Sequence, residues 1–114
     1  MNQNIQNKSF QFAIRIVKLC KMLRTEQGEY ILSKQLLRSG TSIGANIAEA
    51  QQAQSRADFT SKMNIGLKEA VETEYWLRLL HATDYLSERE FSSIYSDCDE
   101  LVKILVSSVR TIRK

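Results

Sequence analysis

Apolar and small residues recur between residues 36 and 50 at the period of one face of an α-helix. They are spaced four, three, four and three apart and are Leu36, Gly40, Ile43, Ile47 and Ala50. Within the same stretch Gly40, Gly44 and Ala48 follow one another at intervals of four, so a helix would align them as a groove with almost no side chains. Glycine within a helix costs about 1 kcal/mol relative to alanine. We therefore expect a neighbouring helix to pack closely against this helix-packing groove.

The same periodicity predicts four helices, at residues 7–25, 30–53, 56–85 and 88–113. The apolar stripe of the first helix contains Phe12, Ile16, Leu19 and Leu23. The stripe of the third is heptad-like and contains Phe59, Met63, Gly66, Ala70, Thr73, Leu77 and Leu80. Long helices with short connections predict an all-α protein. We expect residues 1–114 to form a single domain, an up-down-up-down antiparallel four-helix bundle.

Local signals mark where these helices begin and end. Gly28 can adopt the left-handed conformation that follows a helix, so it is a natural end for the first one. Ser55 and Asp58 have the spacing of a capping box, and so do Ser87 and Glu90. These pairs predict the starts of the third and fourth helices.

Composition agrees with a helical protein in a reducing compartment. The 114 residues include no proline and only four glycines, which favours long uninterrupted helices. Cys20 and Cys98 both fall on apolar helical faces, as expected of buried free thiols. The N-terminal segment lacks the apolar run of a signal peptide, and no stretch approaches about 18 consecutive apolar residues. The sequence therefore predicts a cytoplasmic protein with no membrane contact.

Charge is unevenly distributed although the net charge is only +3. Residues 1–40 contain seven basic and two acidic residues, residues 41–102 contain five and eleven, and residues 103–114 contain four and none. This asymmetry favours an anionic partner. In an antiparallel bundle the end of the fourth helix lies near the start of the first, so basic residues from both would share one end.

That basic end is the candidate RNA-binding surface. Its seven residues are Lys8, Arg15, Lys18, Lys103, Arg110, Arg113 and Lys114. No aromatic residues accompany it, so binding there would depend on the RNA backbone or shape more than on base identity. The alternative is that these bases complement the dipole of the fourth helix and are otherwise solvated.

Polar residues beside the apolar stripes form a candidate structural network. It consists of Arg38, Asn46, Glu49, Glu69 and Glu74. Because the second and third helices run antiparallel, Arg38 should lie opposite Glu69 to Glu74. A buried charge requires a partner, so we expect Arg38 to contact Glu69 or Glu74 and to fix the helix register.

A second apolar edge on the third helix contains Ile65, Trp76 and Leu79. In a monomer these residues would be exposed, and an exposed apolar patch typically marks an interface. We therefore predict self-association through this edge. The alternative is that the first or fourth helix covers it.

Candidate catalytic and metal-binding groups are few. His81 is the only histidine, and no nucleophile lies beside it in the sequence. Glu69, Glu72 and Glu74 are close together, but carboxylate metal sites in bundles pair such residues with Glu-x-x-His motifs, which are missing here. A phosphate-binding loop would need a lysine after Gly44, and none follows at the required position. We expect no enzymatic activity, no metal and no cofactor.

The segments 36–50 and 55–80 resemble the bacterial four-helix bundle proteins that include those encoded within intervening sequences of large-subunit ribosomal RNA genes. The resemblance rests on Arg38-Ser39, Ser42-Ile43, Asn46-Ile47-Ala48-Glu49, Phe59, Glu69, Thr73-Glu74 and Trp76-Leu77. The family is often described as ribosomal, and it is similar to accessory proteins of diversity-generating retroelements, which are basic pentamers that bind RNA and reverse transcriptase. The resemblance implies a ring-like homopentamer without catalytic residues.

Two functions remain open at this point. The first is a non-enzymatic homo-oligomeric module that binds RNA or a ribonucleoprotein. The second is a protein–protein adaptor or scaffold that binds no nucleic acid.

Overall fold

The computed structural model describes residues 3–113, with side chains for residues 4–111. It contains four α-helices and, within that range, no strand. The helices are α1 (Gln3–Gln27), α2 (Leu32–Ala50), α3 (Arg56–Ala82) and α4 (Glu88–Arg113). The all-α class predicted from hydrophobic periodicity is confirmed.

Helix α2 is shorter at both ends than the predicted 30–53, and its start is set by a residue outside it. Helix α1 ends before Gly28, whose φ of 63° is the left-handed conformation that glycine adopts readily. The Glu29 carboxylate then accepts hydrogen bonds from the backbone N–H groups of Ile31, Leu32 and Ser33, at 3.2, 3.0 and 2.7 Å. Glu29 thereby supplies acceptors for the otherwise unpaired donors at the start of α2.

The capping residues predicted for α3 and α4 make the expected hydrogen bonds. Ser55 Oγ accepts from the N–H of Asp58 at 3.0 Å. Ser87 and Glu90 bond reciprocally, each side chain accepting from the other's N–H at 3.1 and 3.0 Å. Helix α3 ends three residues before the predicted position 85, because the chain turns at Asp84, where φ is 67°.

The core runs along the length of the molecule, which measures 44 × 20 × 19 Å. The stripes predicted for α2 and α3 face inward, and Ile43, Ile47, Met63 and Leu77 are fully buried. Consecutive helices pack side by side, and among the helices that contact one another α1 and α4 are the least closely packed. The α1–α4 seam is therefore the most open side of the core.

Helices α1 and α2 meet at the glycines of the helix-packing groove. A Cβ atom at Gly40 would lie 2.8 Å from Ile16 Cγ1, and one at Gly44 would lie 3.3 Å from Ser9 Oγ. The lower-numbered residue of α1 thus meets the higher-numbered residue of α2, so the two helices run in opposite directions. Ala48 lies beyond this contact and is exposed.

A pair of buried hydroxyls joins α2 to α3. Ser39 Oγ and Thr73 Oγ1 are 3.0 Å apart, and both residues are completely buried. Gly66 packs against the same region of α2, with the site of a Cβ 3.6 Å from the carbonyl oxygen of Ile43. On the other side of α3, Cys98 Sγ lies 3.4 Å from the carbonyl oxygen of Ala70 and marks the α3–α4 contact.

Candidate functional site

The α1–α4 seam is bridged by ion pairs that use residues of the predicted RNA-binding surface. Lys8 Nζ lies 3.0 Å from Glu100, and Arg15 Nη1 lies 2.6 Å from Asp97. Lys103 also has a partner, since Asp99 is 3.1 Å from its ammonium group. Because α4 presents acids to each of these cations, three of the predicted seven are already neutralised.

The remaining members of that surface do not come together at one end. Lys8 and Glu100 lie at the same level, and Lys18 is ten residues, or about 15 Å, further along α1. Arg110 lies about 15 Å from the same level in the opposite direction along α4. The Arg113 side chain and Lys114 lie outside the residues described. The described cations of the predicted surface are therefore spread along the bundle, because Lys18 and Arg110 lie in opposite directions from the level of Lys8.

Among the residues described, three exposed lysines without an ion pair lie on the C-terminal half of α1 and at the start of α2. Lys18, Lys21 and Lys34 are exposed, and within the described part of the chain no carboxylate lies within ion-pair distance of them. The two helices are joined there, since Arg24 Nε donates to Ser33 Oγ at 3.3 Å. We call Lys18, Lys21 and Lys34 the α1–α2 lysine cluster. Sequence reasoning selected only Lys18, since the relative rotation of the helices was unknown.

Arg38 joins α2 to α3 at the surface of the protein. Its guanidinium lies 3.3 Å from Glu69 Oε1 and also contacts Glu72, which accepts a hydrogen bond from Trp76 Nε1 at 3.0 Å. The Trp76 hydrogen bond is the largest cause of a lowered pKa for Glu72, and Arg38 adds to it. The expected burial of Arg38 is wrong, because 48% of its side chain remains exposed.

The other members of the predicted polar network are separate from Arg38. Asn46 Nδ2 donates to the carbonyl oxygen of Ser42 at 2.8 Å, and Glu49 pairs with Lys62 at 3.1 Å. Glu74 faces α4, where burial and the neighbouring Asp99 carboxylate raise its pKa. Its Oε2 atom is buried and has no hydrogen-bond partner among the described residues. Of the five predicted residues, Arg38 and Glu69 contact one another, whereas Asn46, Glu49 and Glu74 each make separate contacts.

An apolar groove between α1 and α2 lies on the outside of the helix-packing contact. It encloses about 550 Å³, and its lining includes Phe10, Ala13, Ala45 and Ala48. Phe10 is 61% exposed. We call this surface the α1–α2 groove. The sequence did not predict it, because the apolar stripe of the first helix does not show which of its flanks faces α2.

The predicted interface residues differ from one another in exposure. Ile65 is 39% exposed, whereas Trp76 is partly buried against the core and Leu79 is also only partly exposed. Val71 and Tyr75 are more exposed than any of the three. Helix α3 therefore has an exposed apolar surface, but of the three predicted residues only Ile65 is among its most exposed members.

A second groove lies where the end of α3 meets the start of α4. Its lining includes Tyr75, Arg78, Leu79, His81 and Phe91, and it encloses about 430 Å³. The imidazole of His81 stacks on Phe91 with ring centroids 4.2 Å apart and planes 4° apart. Glu88 Oε2 lies 2.8 Å from His81 Nε2. We call this the aromatic groove.

Among the described residues, neither the cysteines nor the carboxylates form an activated or metal-binding group. Burial raises the pKa of the Cys20 thiol to about 11, and it also raises the pKa of Cys98, so neither thiol is activated as a nucleophile. Among the residues described, histidine, cysteine and carboxylates do not cluster in groups that could hold a metal ion. None of the helices, over the same residues, is long and apolar enough to cross a membrane.

One protein family matches the chain over most of its length. The model of the 23S rRNA-intervening sequence protein family matches residues 1–107. The chain belongs to this family. The resemblance found in the segments 36–50 and 55–80 is thereby confirmed.

A solved relative of this intervening-sequence protein supports the fold over nearly the whole chain. It is a protein of unknown function from the S23 ribosomal protein family of Bacteroides thetaiotaomicron, with 58% sequence identity and a TM-score of 0.91. The similarity covers 92% of this chain and 97% of that one. No curated protein matches significantly. Neither the family description nor the solved relative names an enzymatic activity.

Proposed function

We propose that this intervening-sequence protein is a non-enzymatic, homo-oligomeric four-helix bundle that binds RNA or a ribonucleoprotein in the cytoplasm. The observation that carries the RNA proposal is the α1–α2 lysine cluster, Lys18, Lys21 and Lys34, which is exposed and has no carboxylate partner among the described residues. The family description, which refers to 23S rRNA, supports the same class of ligand.

Unpaired lysines are suited to phosphate because their charges are available without breaking an existing contact. RNA binding through them would release counterions and weaken steeply as salt rises. Lys8, Arg15 and Lys103 would first have to leave Glu100, Asp97 and Asp99. We therefore assign phosphate binding to the lysine cluster and no longer to most of the basic surface predicted from the sequence.

Two matched triple variants test this assignment. One changes Lys18, Lys21 and Lys34 to Gln, and the other changes Lys8, Arg15 and Lys103 to Gln. Both remove three positive charges. We expect the first to weaken binding to a structured RNA and to reduce the log–log salt slope by about 2, at about 0.7 to 0.9 per phosphate contact. The second should change the slope much less. Equal effects, or no binding by the unaltered protein at low salt, would overturn the proposal.

Self-association is supported by apolar surface on two different sides of the molecule. Phe10 and Ala13 belong to the α1–α2 groove, whereas Ile65 and Val71 are exposed on α3. Contact between two different faces of neighbouring copies is heterologous, and such contacts form a ring when the rotation closes. The opposite charges of residues 1–40 and 41–102 complement a contact of this kind. We propose an up-down-up-down bundle that assembles as a homopentamer.

Light scattering after size-exclusion chromatography tests the assembly. The mass of one chain is 13.1 kDa, so a pentamer has about 65 kDa. Phe10→Glu should shift the mass toward that of the monomer, because a carboxylate in the groove would have to be desolvated. Tyr30→Glu is the matched control, since Tyr30 is 63% exposed but does not line the groove. A monomeric unaltered protein at micromolar concentration would exclude the ring.

The α1–α2 groove also favours a second candidate function, that of a protein–protein adaptor. An apolar groove of about 550 Å³ beside an exposed phenylalanine could accept a partner helix. Absence of RNA binding, together with a stable oligomer, would support this second function.

A further inference from the structure

The aromatic groove at the junction of α3 and α4 has features that neither the family description nor the solved relative assigns to a ligand. It is formed by α3 and α4, whereas the lysine cluster belongs to α1 and α2. Its walls combine aromatic rings with the cation of Arg78, which is exposed. This combination is typical of sites that stack unpaired bases of single-stranded nucleic acid.

Three contacts fix the orientation of the rings before any ligand arrives. The His81 imidazole is nearly parallel to Phe91 and is held from its edge by Glu88 Oε2 at 2.8 Å. Tyr75 is 54% exposed, and its ring meets Trp76 edge to face with centroids 5.1 Å apart. Because these rings are already ordered, a base stacking on them would lose little side-chain entropy.

We propose that the aromatic groove stacks an unpaired RNA base, with Tyr75 as the main platform and Arg78 contacting the adjoining phosphate. The groove volume of about 430 Å³ is in the range of small-molecule sites and can hold one nucleotide. The proposal rests on the RNA binding proposed above and adds a contribution from the bases to that from the phosphates. Because stacking tolerates any base, it agrees with the expectation that binding depends on the RNA backbone or shape more than on base identity.

The test compares two fluorescently labelled probes of equal length and charge by anisotropy. One is a single-stranded oligoadenylate of about 12 nucleotides, and the other has the same backbone with abasic riboses. The unaltered protein should bind the base-bearing probe more tightly, by about fivefold to 150-fold for each stacked base. Tyr75→Leu should reduce its affinity for the oligoadenylate to that for the abasic probe. Tyr30→Leu, at another exposed tyrosine, should change neither affinity.

A second variant separates the roles of the two side chains. Arg78→Gln should lower the affinity for both probes by a similar factor, because both contain the phosphate that Arg78 contacts. Circular dichroism of each variant controls for folding, and Tyr75 and Arg78 are exposed enough to be replaced without disturbing the core.

The outcomes distinguish this inference from the function on which it rests. Salt-dependent binding with equal affinity for both probes would keep the RNA proposal and overturn base stacking. The same conclusion follows if Tyr75→Leu leaves the preference for the oligoadenylate unchanged, in which case the groove is more suited to a protein segment. Failure to bind either probe at low salt would overturn base stacking, whereas failure to bind the structured RNA as well would also overturn the RNA proposal.

Discussion

The side chain of Ile16 occupies the space in which a side chain at Gly40 would lie. A Cβ atom at position 40 would be 2.8 Å from Cγ1 and 2.9 Å from Cγ2 of Ile16. Both atoms are bonded to the branched Cβ of isoleucine, so rotation about χ1 cannot move both of them away. The close approach of α1 and α2 thus depends on glycine at this position.

Replacing the two interior glycines of α2 and α3 should have opposite effects on stability. Gly40→Ala should lower the free energy of unfolding by up to about 2 kcal/mol, because overpacking outweighs the gain in helix propensity. Gly66→Ala should raise it by up to about 1 kcal/mol, since the nearest atom to its Cβ would be at an ordinary 3.6 Å. Urea unfolding monitored by circular dichroism measures both.

A double-mutant cycle shows whether contact with Ile16 causes the destabilisation by Gly40→Ala. In an Ile16→Ala background, Gly40→Ala should no longer be destabilising, because the two close atoms have been removed. A loss of the same size in both backgrounds would contradict the explanation.

Removing the Glu29 carboxylate should destabilise the start of α2. Glu29 is only 8% exposed and accepts three backbone hydrogen bonds from Ile31, Leu32 and Ser33. We expect Glu29→Ala to lower the free energy of unfolding by about 1 to 2 kcal/mol. Hydrogen exchange of the amides of residues 31–33 should accelerate in the variant. Glu26→Ala, at an exposed position of α1, is the control and should change little.

Two glutamates on α3 should respond to pH in opposite directions. The pKa of Glu74 is raised by burial and by Asp99, so its contribution to stability is present below its unfolded pKa of 4.5 and is lost as pH rises through the folded pKa. The pKa of Glu72 is lowered by Trp76 and Arg38, so its contribution is present above 4.5 and is lost as pH falls through the folded pKa.

Glutamine substitutions reveal these opposite signs. At pH 7, Glu74→Gln should raise the melting temperature, and the gain should disappear below about pH 4 as the native carboxyl becomes protonated. Glu72→Gln should lower the melting temperature at pH 7, with the loss shrinking as the medium is acidified. Parallel melting curves from pH 3 to pH 8 would show the two trends, and shifts of the same sign at neutral pH would contradict the assignment.

Both cysteines should be unreactive in the folded protein. Burial raises the pKa of Cys20 to about 11 and also raises the pKa of Cys98, while each sulfur lies within 3.4 Å of a backbone carbonyl oxygen. The thiolate fraction at pH 7 is consequently very small. An aromatic disulfide reagent should label neither thiol until denaturant is added, after which both should react. Rapid labelling of the native protein would mean that α1 or α4 opens readily.

Features that depend on residues close together along the chain could be predicted from the sequence. The helices follow from stripes of apolar residues, and the Ser87–Glu90 box defines the start of α4 because both partners lie within one turn. The start of α2 was predicted two residues too early, at residue 30, since Glu29 acts from outside the helix and matches none of the usual capping signatures.

The candidate site was less predictable because it depends on how the helices are rotated about their axes. Lys8 and Arg15 were chosen as free cations, yet both face acids on α4 across a seam between distant parts of the chain. The aromatic groove was missed for the same reason. His81 and Phe91 become neighbours only when the turn after α3 brings them together.

The hydroxyl pair of Ser39 and Thr73 favours one alignment of α2 along α3 within a mostly aliphatic core. Sliding α2 by one turn along α3 would break the hydrogen bond between Ser39 and Thr73 and leave each hydroxyl only a carbonyl oxygen of its own helix. Exchanging them for Ala and Val should therefore leave a protein of similar or greater stability that samples more than one arrangement. Its amide NMR spectrum would contain duplicated peaks, because the variant would populate more than one helix arrangement without a loss of stability.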